Sequence, residues 1–285
     1  MTSSKDEIDL SYSVSNDFFK LWLDENMHYT CAVFDERHST LEAAQDNKAQ
    51  FLYQLAELDE KKTVLDIGCG WGSFIDVACR LGVKRADGIT LSDEQIAWCH
   101  DRKLANARFI LEDYAKYEPQ EKYDALVSIE MIDHLCSPAQ ARNKQAVNIY
   151  RSYFNRLGQW VEPGAPFAFQ AILSDRIPRS RKDLEDLAFT ADVIFPGGRN
   201  PRLEELVMAL RPTWEIEELH MRRIDYGKTT AEWLRRLRLH EAAIREQWGD
   251  RVMDDYIRYL ETCVKAMGTA CWSGDVQMKL RRTAG

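Results

Sequence analysis

The chain has 285 residues, and its 38 lysines and arginines stand against 46 aspartates and glutamates, a formal net charge of −8. That length suffices for a large core without disulfide support, and the acidic balance excludes a general nucleic-acid binder, which wants a basic stripe. The seven cysteines, at 31, 69, 79, 99, 136, 263 and 271, form no C-x-x-C pair and offer no metal-ligand motif, so they read as reduced thiols of a cytoplasmic protein.

Taken in chain order, residues 1–10 are polar and acidic, unlike a signal peptide. Residues 1–60 read as a helical element. Ser15-Asn16-Asp17 offers an N-cap before the apolar cluster of Phe18, Phe19, Leu21, Trp22 and Leu23. Ser39 to Glu42 reads as a capping box, opening a helix whose spaced face holds Leu41, Ala44, Lys48, Phe51, Leu52, Leu55 and Leu58. From Thr63 the rhythm changes to short apolar runs alternating with helices, the pattern of a mostly parallel α/β sheet. Strands are predicted at 63–67, 85–90, 107–111, 123–129 and 167–172, with helices at 72–81, 93–104 and 146–157. Residues 61–175 would form the ligand-binding core. Residues 176–285 would supply lid helices and last strands at 214–220 and 275–281. No linker or repeat interrupts the chain, so one domain over 1–285 is expected. No apolar run approaches the ~20 residues that span a bilayer. The basic clusters Arg176-Ile-Pro-Arg179-Ser-Arg181-Lys182 and Arg235-Arg236-Leu-Arg238 read as solvated faces, or else as contacts for an anionic substrate or lipid surface.

The most informative stretch is Val64-Leu65-Asp66-Ile67-Gly68-Cys69-Gly70-Trp71-Gly72-Ser73. An apolar run ends in an acid and three alternating glycines, which suits a strand, a tight turn and a helix entered at once. Dinucleotide enzymes use G-x-G-x-x-G at this place. The G-x-G-x-G spacing and Asp66 favour instead the S-adenosylmethionine (SAM) loop of class I methyltransferases, which the segment resembles. Ligands of open α/β sheets lie beyond the carboxyl ends of the strands. The first end carries Asp66, Gly68, Gly70 and Gly72. The second carries Thr90 and Leu91, with Gln95 one turn on as a neutral partner for ribose hydroxyls. The third carries Asp113 and Tyr114, an acid for the adenine amino group and a ring to pack on it. The fourth runs into Glu130-Met-Ile-Asp133-His134. A helix there would put Glu130, Asp133 and His134 on one face, fit for proton removal or cation stabilisation.

Motifs along almost the whole length resemble those of the cyclopropane-fatty-acid and mycolic-acid cyclopropane synthases, a SAM-dependent methyltransferase family. Tyr12-Ser-Val-Ser-Asn-Asp-Phe-Phe19 is similar to Y-D-L-S-N-D-F-F, and Tyr29-Thr30-Cys31-Ala32 to Y-S-C-A. Thr90-Leu91-Ser92 with Gln95 resembles T-L-S-x-x-Q. Ile194-Phe195-Pro196-Gly197-Gly198 resembles I-F-P-G-G, and Tyr226 to Trp233 resembles H-Y-A-x-T-L-x-x-W. The resemblance implies a class I, Rossmann-like sheet with added N-terminal helices and an α-helical lid. It implies SAM contacts at Tyr29, Thr30, Gly68, Gly70, Thr90, Leu91, Gln95 and Asp113, and an apolar channel for a hydrophobic small molecule or lipid. It further implies a bicarbonate ion held by a cysteine, a glutamate, a histidine and a tyrosine, which takes the proton that closes the cyclopropane ring. Cys31 and Tyr226 match two of these. The others depart: Asp133 stands at the glutamate position, Glu130 replaces a glycine, and Gln170 aligns with the histidine. A carboxylate at Glu130 repels an anion at ~4 Å by a few kcal/mol at a protein-like dielectric. The expectation is therefore C-methylation of an alkene, with or without cyclisation, by Glu130, Tyr226 and Tyr12 rather than bicarbonate-assisted cyclopropanation. The E-x-x-[DE]-H pattern also resembles plant alkaloid N-methyltransferases, so an amine acceptor is the alternative, and a non-catalytic SAM- or lipid-binding protein a third. No stable membrane insertion is expected, and a homo-oligomer stays open.

Overall fold

The computed structural model describes residues 14–284. A seven-stranded sheet runs through it in the order β3-β2-β1-β4-β5-β7-β6. Its strands are β1 (Thr63–Ile67), β2 (Arg85–Thr90), β3 (Ala107–Leu111), β4 (Ala125–Ile129), β5 (Pro166–Ser174), β6 (Trp214–Met221) and β7 (Ser273–Arg282). The first five are parallel, and β7 is inserted antiparallel between β5 and β6. This is the class I methyltransferase sheet. Helices cover both faces, which is why β1 is buried at all five positions and reads as an unbroken apolar run apart from Asp66.

The described N-terminal part is less helical than expected. It holds α1 (Asn16–Lys20), capped by Ser15, and α2 (Leu41–Leu55). Between them the Asp24 carboxylate accepts from the N–H groups of Asn26 and His28 and turns the chain. Gln45 and Asn47 of α2 then bind the carbonyls of Thr30 and Val33, holding that stretch extended. The α2 cap is Thr40, one residue beyond the expected Ser39, because its hydroxyl accepts from Ala43 N–H. Glu42 is thereby freed to bind Arg236 through both oxygens, at 2.7 and 3.0 Å.

After β1, α3 (Ser73–Arg80) and α4 (Asp93–Asp101) follow their strands directly. The stretch after β4 contains a 3₁₀ turn (Ile132–His134), α5 (Pro138–Arg142) with a full Ser137–Gln140 capping box, and α6 (Ala146–Leu157). The lid begins with α7 (Arg181–Phe189) and a π turn (Thr190–Ile194). It resumes with α9 (Arg223–Leu239), α10 (Glu241–Trp248) and α11 (Asp250–Met267). Helix α8 (Leu203–Leu210) lies between these in sequence but packs its Leu206, Ala209 and Leu210 into the sheet core with α6.

The lid is fastened to the N-terminal element by aromatic rings. Phe18 lies edge-on to Tyr256 at 4.6 Å, Trp22 to Trp233 at 5.9 Å, and Phe19 packs on Trp71 of the glycine loop at 5.2 Å. Each such buried ring contributes roughly 1.5–3 kcal/mol by burial alone. The N-terminal element and the lid therefore dock through residues more than 200 positions apart in the chain. Among the described residues no helix is long and apolar enough to cross a membrane.

Candidate active site

A cavity of about 580 Å³ opens above the carboxyl ends of β1, β2, β3 and β4, under the lid. One end is lined by Asp66, Gly68, Gly70, Thr90, Leu91, Gln95, Asp113 and Tyr114, together with Tyr29 and Thr30. These ten come from separate segments and line the same cavity. Gly70 has φ +54°, and a Cβ added there would face open space, its nearest neighbour being Gln95 Nε2 at 3.9 Å. The Thr90 hydroxyl donates to Gln95 Oε1 at 2.8 Å, which fixes the amide so that its NH₂ turns toward that loop. Asp66 is fully buried with Oδ1 unpartnered among the described residues, and burial pushes its pKa up to about 7. A buried acid without a donor, an open glycine and a fixed amide at successive strand ends fit a molecule bearing amino and hydroxyl groups, as SAM does.

Gly72 differs from the expectation. It does not line the cavity: at φ +73° it starts α3, and a Cβ there would meet the Phe109 ring at 2.8 Å and the Cys99 sulfur at 3.1 Å. Close packing between helix and strand, rather than ligand approach, requires this glycine.

At the other end of the cavity the floor is Glu130. It follows β4 at once, and its N–H extends the ladder to the Gln170 carbonyl at 2.8 Å. The predicted helix face through Glu130, Asp133 and His134 does not form. Glu130 has φ +55°, a left-handed turn that breaks the chain before the 3₁₀ turn. That turn swings the side chain under the lid, where three donors meet it. Cys31 N–H and Gln170 Nε2 reach Oε1 at 2.8 and 2.6 Å, and the Tyr226 hydroxyl reaches Oε2 at 3.0 Å. Cys31 thus serves by its backbone; its thiol turns to the Ala32 carbonyl, and burial raises its pKa well above the usual range. Neither Cys31 nor Gln170 lines the cavity; both stand behind the carboxylate. Tyr12 lies outside the described residues.

The charges around Glu130 follow from burial and donors. Burial pushes the Glu130 pKa up, and the Cys31 amide, Gln170, Lys48 and Tyr226 pull it back. Asp133 lines the cavity with Oδ1 unpartnered among the described residues; burial and then the Glu130 charge raise its pKa well above the usual range. His134, also on the wall, is lowered to about 4 by burial and is a neutral imidazole at pH 7. The lid loop sits directly on this turn: Arg199 N–H donates to the Asp133 carbonyl at 2.8 Å, and a Cβ on Gly198 would come within 3.1 Å of it. Beyond, the cavity is walled by apolar groups including Ile172, Leu187, Phe195 and Met267.

The whole-chain comparison decides what this arrangement belongs to. Residues 1–272 match the family described as mycolic acid cyclopropane synthetase. The chain belongs to that family. It is therefore a SAM-dependent methyltransferase, and the groups at the glycine end of the cavity fit that cofactor. Among relatives, cyclopropane mycolic acid synthase 2 of Mycobacterium bovis is 29% identical over 270 residues, covering 88% of this chain and 86% of that one. The structure of the cyclopropane synthase MmaA2 from Mycobacterium tuberculosis superposes with a TM-score of 0.89 at 24% identity, covering 99% of both chains. Coclaurine N-methyltransferase bound to N-methylheliamine and SAH gives 0.83 at 18% identity, covering 99% of this chain and 83% of that one, a likeness of fold.

Several polar groups of the site escaped the sequence reading. Lys48 is fully buried on the cavity wall and donates to Thr30 Oγ1 at 2.9 Å. Its signal was a lysine inside the apolar stripe of α2. His28, whose Nδ1 binds Asp24 at 2.8 Å, presents an unpartnered Nε2. Asp275 and Gln277, both fully buried on β7, carried no motif at all.

Proposed function

We propose that the chain transfers a methyl group from SAM to an alkene carbon of a hydrophobic small molecule or lipid, with the Glu130 carboxylate standing where the family's bicarbonate would sit. One observation carries the reading: an amide N–H, a tyrosine hydroxyl and a glutamine amide converge on the Glu130 carboxylate at the cavity floor. A side-chain anion already holds these three donors and repels a free one. Bound SAM supplies an electrophilic methyl on a sulfonium. The apolar walls hold the alkene in line with it and exclude water. Transfer of that methyl to the alkene would leave positive charge on the acceptor. Glu130 stabilises that charge and removes a neighbouring proton, giving a methylated alkene or a ring. The names of the relatives, mycolic acid synthases and a probable fatty acid methyltransferase, support a lipid or lipid-like acceptor.

A second reading, methylation of an amine, is favoured by one feature: the buried Glu130 carboxylate on the cavity floor is an anion that could hold the amine and take its proton. Incubation with methyl-labelled SAM and a panel of unsaturated lipids, isoprenoids and amines, read by mass spectrometry, separates the two. Glu130→Gln keeps shape and hydrogen bonding without the charge. It should cost the turned-over acceptor at least tenfold in kcat, within the ~10²–10⁴-fold of such groups, with SAM affinity by calorimetry unchanged. Full turnover by this variant would end the assignment.

A further inference from the structure

Behind Glu130 lies a line of hydrogen bonds that the chemistry above does not use. Arg222 Nε donates to Gln277 Oε1 at 2.8 Å, Gln277 Nε2 donates to Gln170 Oε1 at 2.7 Å, and Gln170 Nε2 donates to Glu130 Oε1 at 2.6 Å. Gln170 on β5 and Gln277 on β7 are directly paired in the antiparallel register, and both are fully buried. Arg222 stands just before the lid helix α9, at its N-cap. Its guanidinium lies 4.8 Å over the Phe51 ring and 3.8 Å from Asp225, and its N–H binds the Asp275 carbonyl at 2.7 Å.

The direction of this line is not free. A guanidinium only donates, so the Gln277 oxygen must face Arg222 and its NH₂ must face Gln170. The Gln170 oxygen is then taken, and its NH₂ is left for Glu130. A reversed line would set an amide oxygen against the carboxylate, which is tolerable only if Glu130 carries a proton. We infer that Arg222 and Gln277 are positioning residues: through Gln170 they fix the amide polarity that keeps Glu130 an acceptor, ionised for its work. The inference rests on the reading of Glu130 given above. The other groups facing Glu130 are Lys48 of α2, Tyr226 of α9, Cys31, Asp133 of the 3₁₀ turn and Asp275 of β7. Among the described residues no N–H or hydroxyl reaches the Asp275 carboxyl oxygens, while the Glu130 carboxyl lies within hydrogen-bonding reach of them. Burial and the Glu130 charge raise the Asp275 pKa well above the usual range, and the two carboxyls titrate as a pair.

The test reverses the polarity. In Gln277→Glu the new carboxylate accepts from both neighbours, and Gln170 must turn its oxygen to Glu130. Infrared difference titration of the cofactor-free protein reads the protonated carboxyl band of Glu130, assigned by its loss in Glu130→Gln. The wild type should show little of this band at pH 7. Gln277→Glu should show it clearly, with the acid limb of kcat moved up by about one pH unit, a tenfold change in proton affinity. A charge acting through space would give the same shift, so the cycle includes Gln170→Leu. If the effect travels through Gln170, adding Gln277→Glu to Gln170→Leu should move nothing further. A shift that persists in that background overturns the relay, as does a fall in kcat equal at every pH with no new band. Should Gln277→Glu fail to fold, Gln277→Leu decides with the same readouts: a smaller shift in the same direction supports the relay, and an unmoved limb overturns it. Full turnover by Glu130→Gln would instead sink the catalytic reading of Glu130, and the infrared result would still judge the relay.

Discussion

At the glycine end of the cavity, Tyr29 and Thr30 aside, each group comes from the end of one strand or the turn that follows it: Asp66 and Gly70 with β1, Thr90 and Gln95 with β2, Asp113 and Tyr114 with β3. At the floor, one carboxylate gathers partners from far along the chain, with Cys31 99 residues before it, Gln170 40 after and Tyr226 96 after. The first arrangement is local and is repeated wherever a parallel strand meets its helix. The second exists only when the N-terminal element, β5 and the lid have all docked. A loss at the glycine end should therefore act on cofactor binding alone. A loss at the floor should act on turnover and its pH dependence.

The largest effect expected is at the glycine end. Gly70→Val puts a branched side chain into the open space of the loop at φ +54°, a conformation that strains it. SAM affinity by calorimetry should fall at least about a hundredfold, ~2.7 kcal/mol, while a cooperative thermal transition is retained. Unchanged affinity in the folded variant would break the division between the two ends. Next comes Tyr226→Phe, which removes the hydrogen bond to Glu130 Oε2. The Glu130 pKa, already raised, should rise further. Its carboxylate is then lost at a higher pH as pH falls, so kcat at pH 7 should drop about tenfold and recover as pH rises. A loss that alkaline pH does not restore would mean that the Tyr226 hydroxyl acts on the acceptor directly.

A smaller effect, on stability, sharpens the comparison from the cofactor side. The pKa of Asp66 is raised to about 7 by burial. Between the ordinary carboxylate range and that value the folded protein holds a proton that the unfolded chain releases, so stability falls as pH rises through the window. The difference of about three pH units corresponds to a few kcal/mol at most. Asp66→Asn is never charged. Without SAM it should melt above the wild type at pH 8, with the gap closing toward pH 4, while its SAM affinity falls. Equal melting at both pH values would show that the buried carboxylate is compensated.

How much was legible in the chain follows the same division. β1, β2 and β3 begin and end where the apolar runs do, because each run is bounded by its own turn residues. β5 and β7 extend past their predicted ends because their antiparallel pairing, not their apolar content, carries them from Pro166 to Ser174 and from Ser273 to Arg282. Glu130 was singled out correctly as the first residue past β4, but spacing alone could not reveal the left-handed φ that removes it from the helix face. Gln170 and Gln277 lie 107 residues apart, and only the sheet register makes them neighbours.

Dependence on bicarbonate tests the central claim most directly. Initial rates on the acceptor found by the labelling screen are measured in degassed, bicarbonate-free buffer and again with bicarbonate added. With the Glu130 carboxylate already occupying the three donors, the rates should be the same. Loss of most activity in the degassed buffer, restored by bicarbonate, would contradict the account.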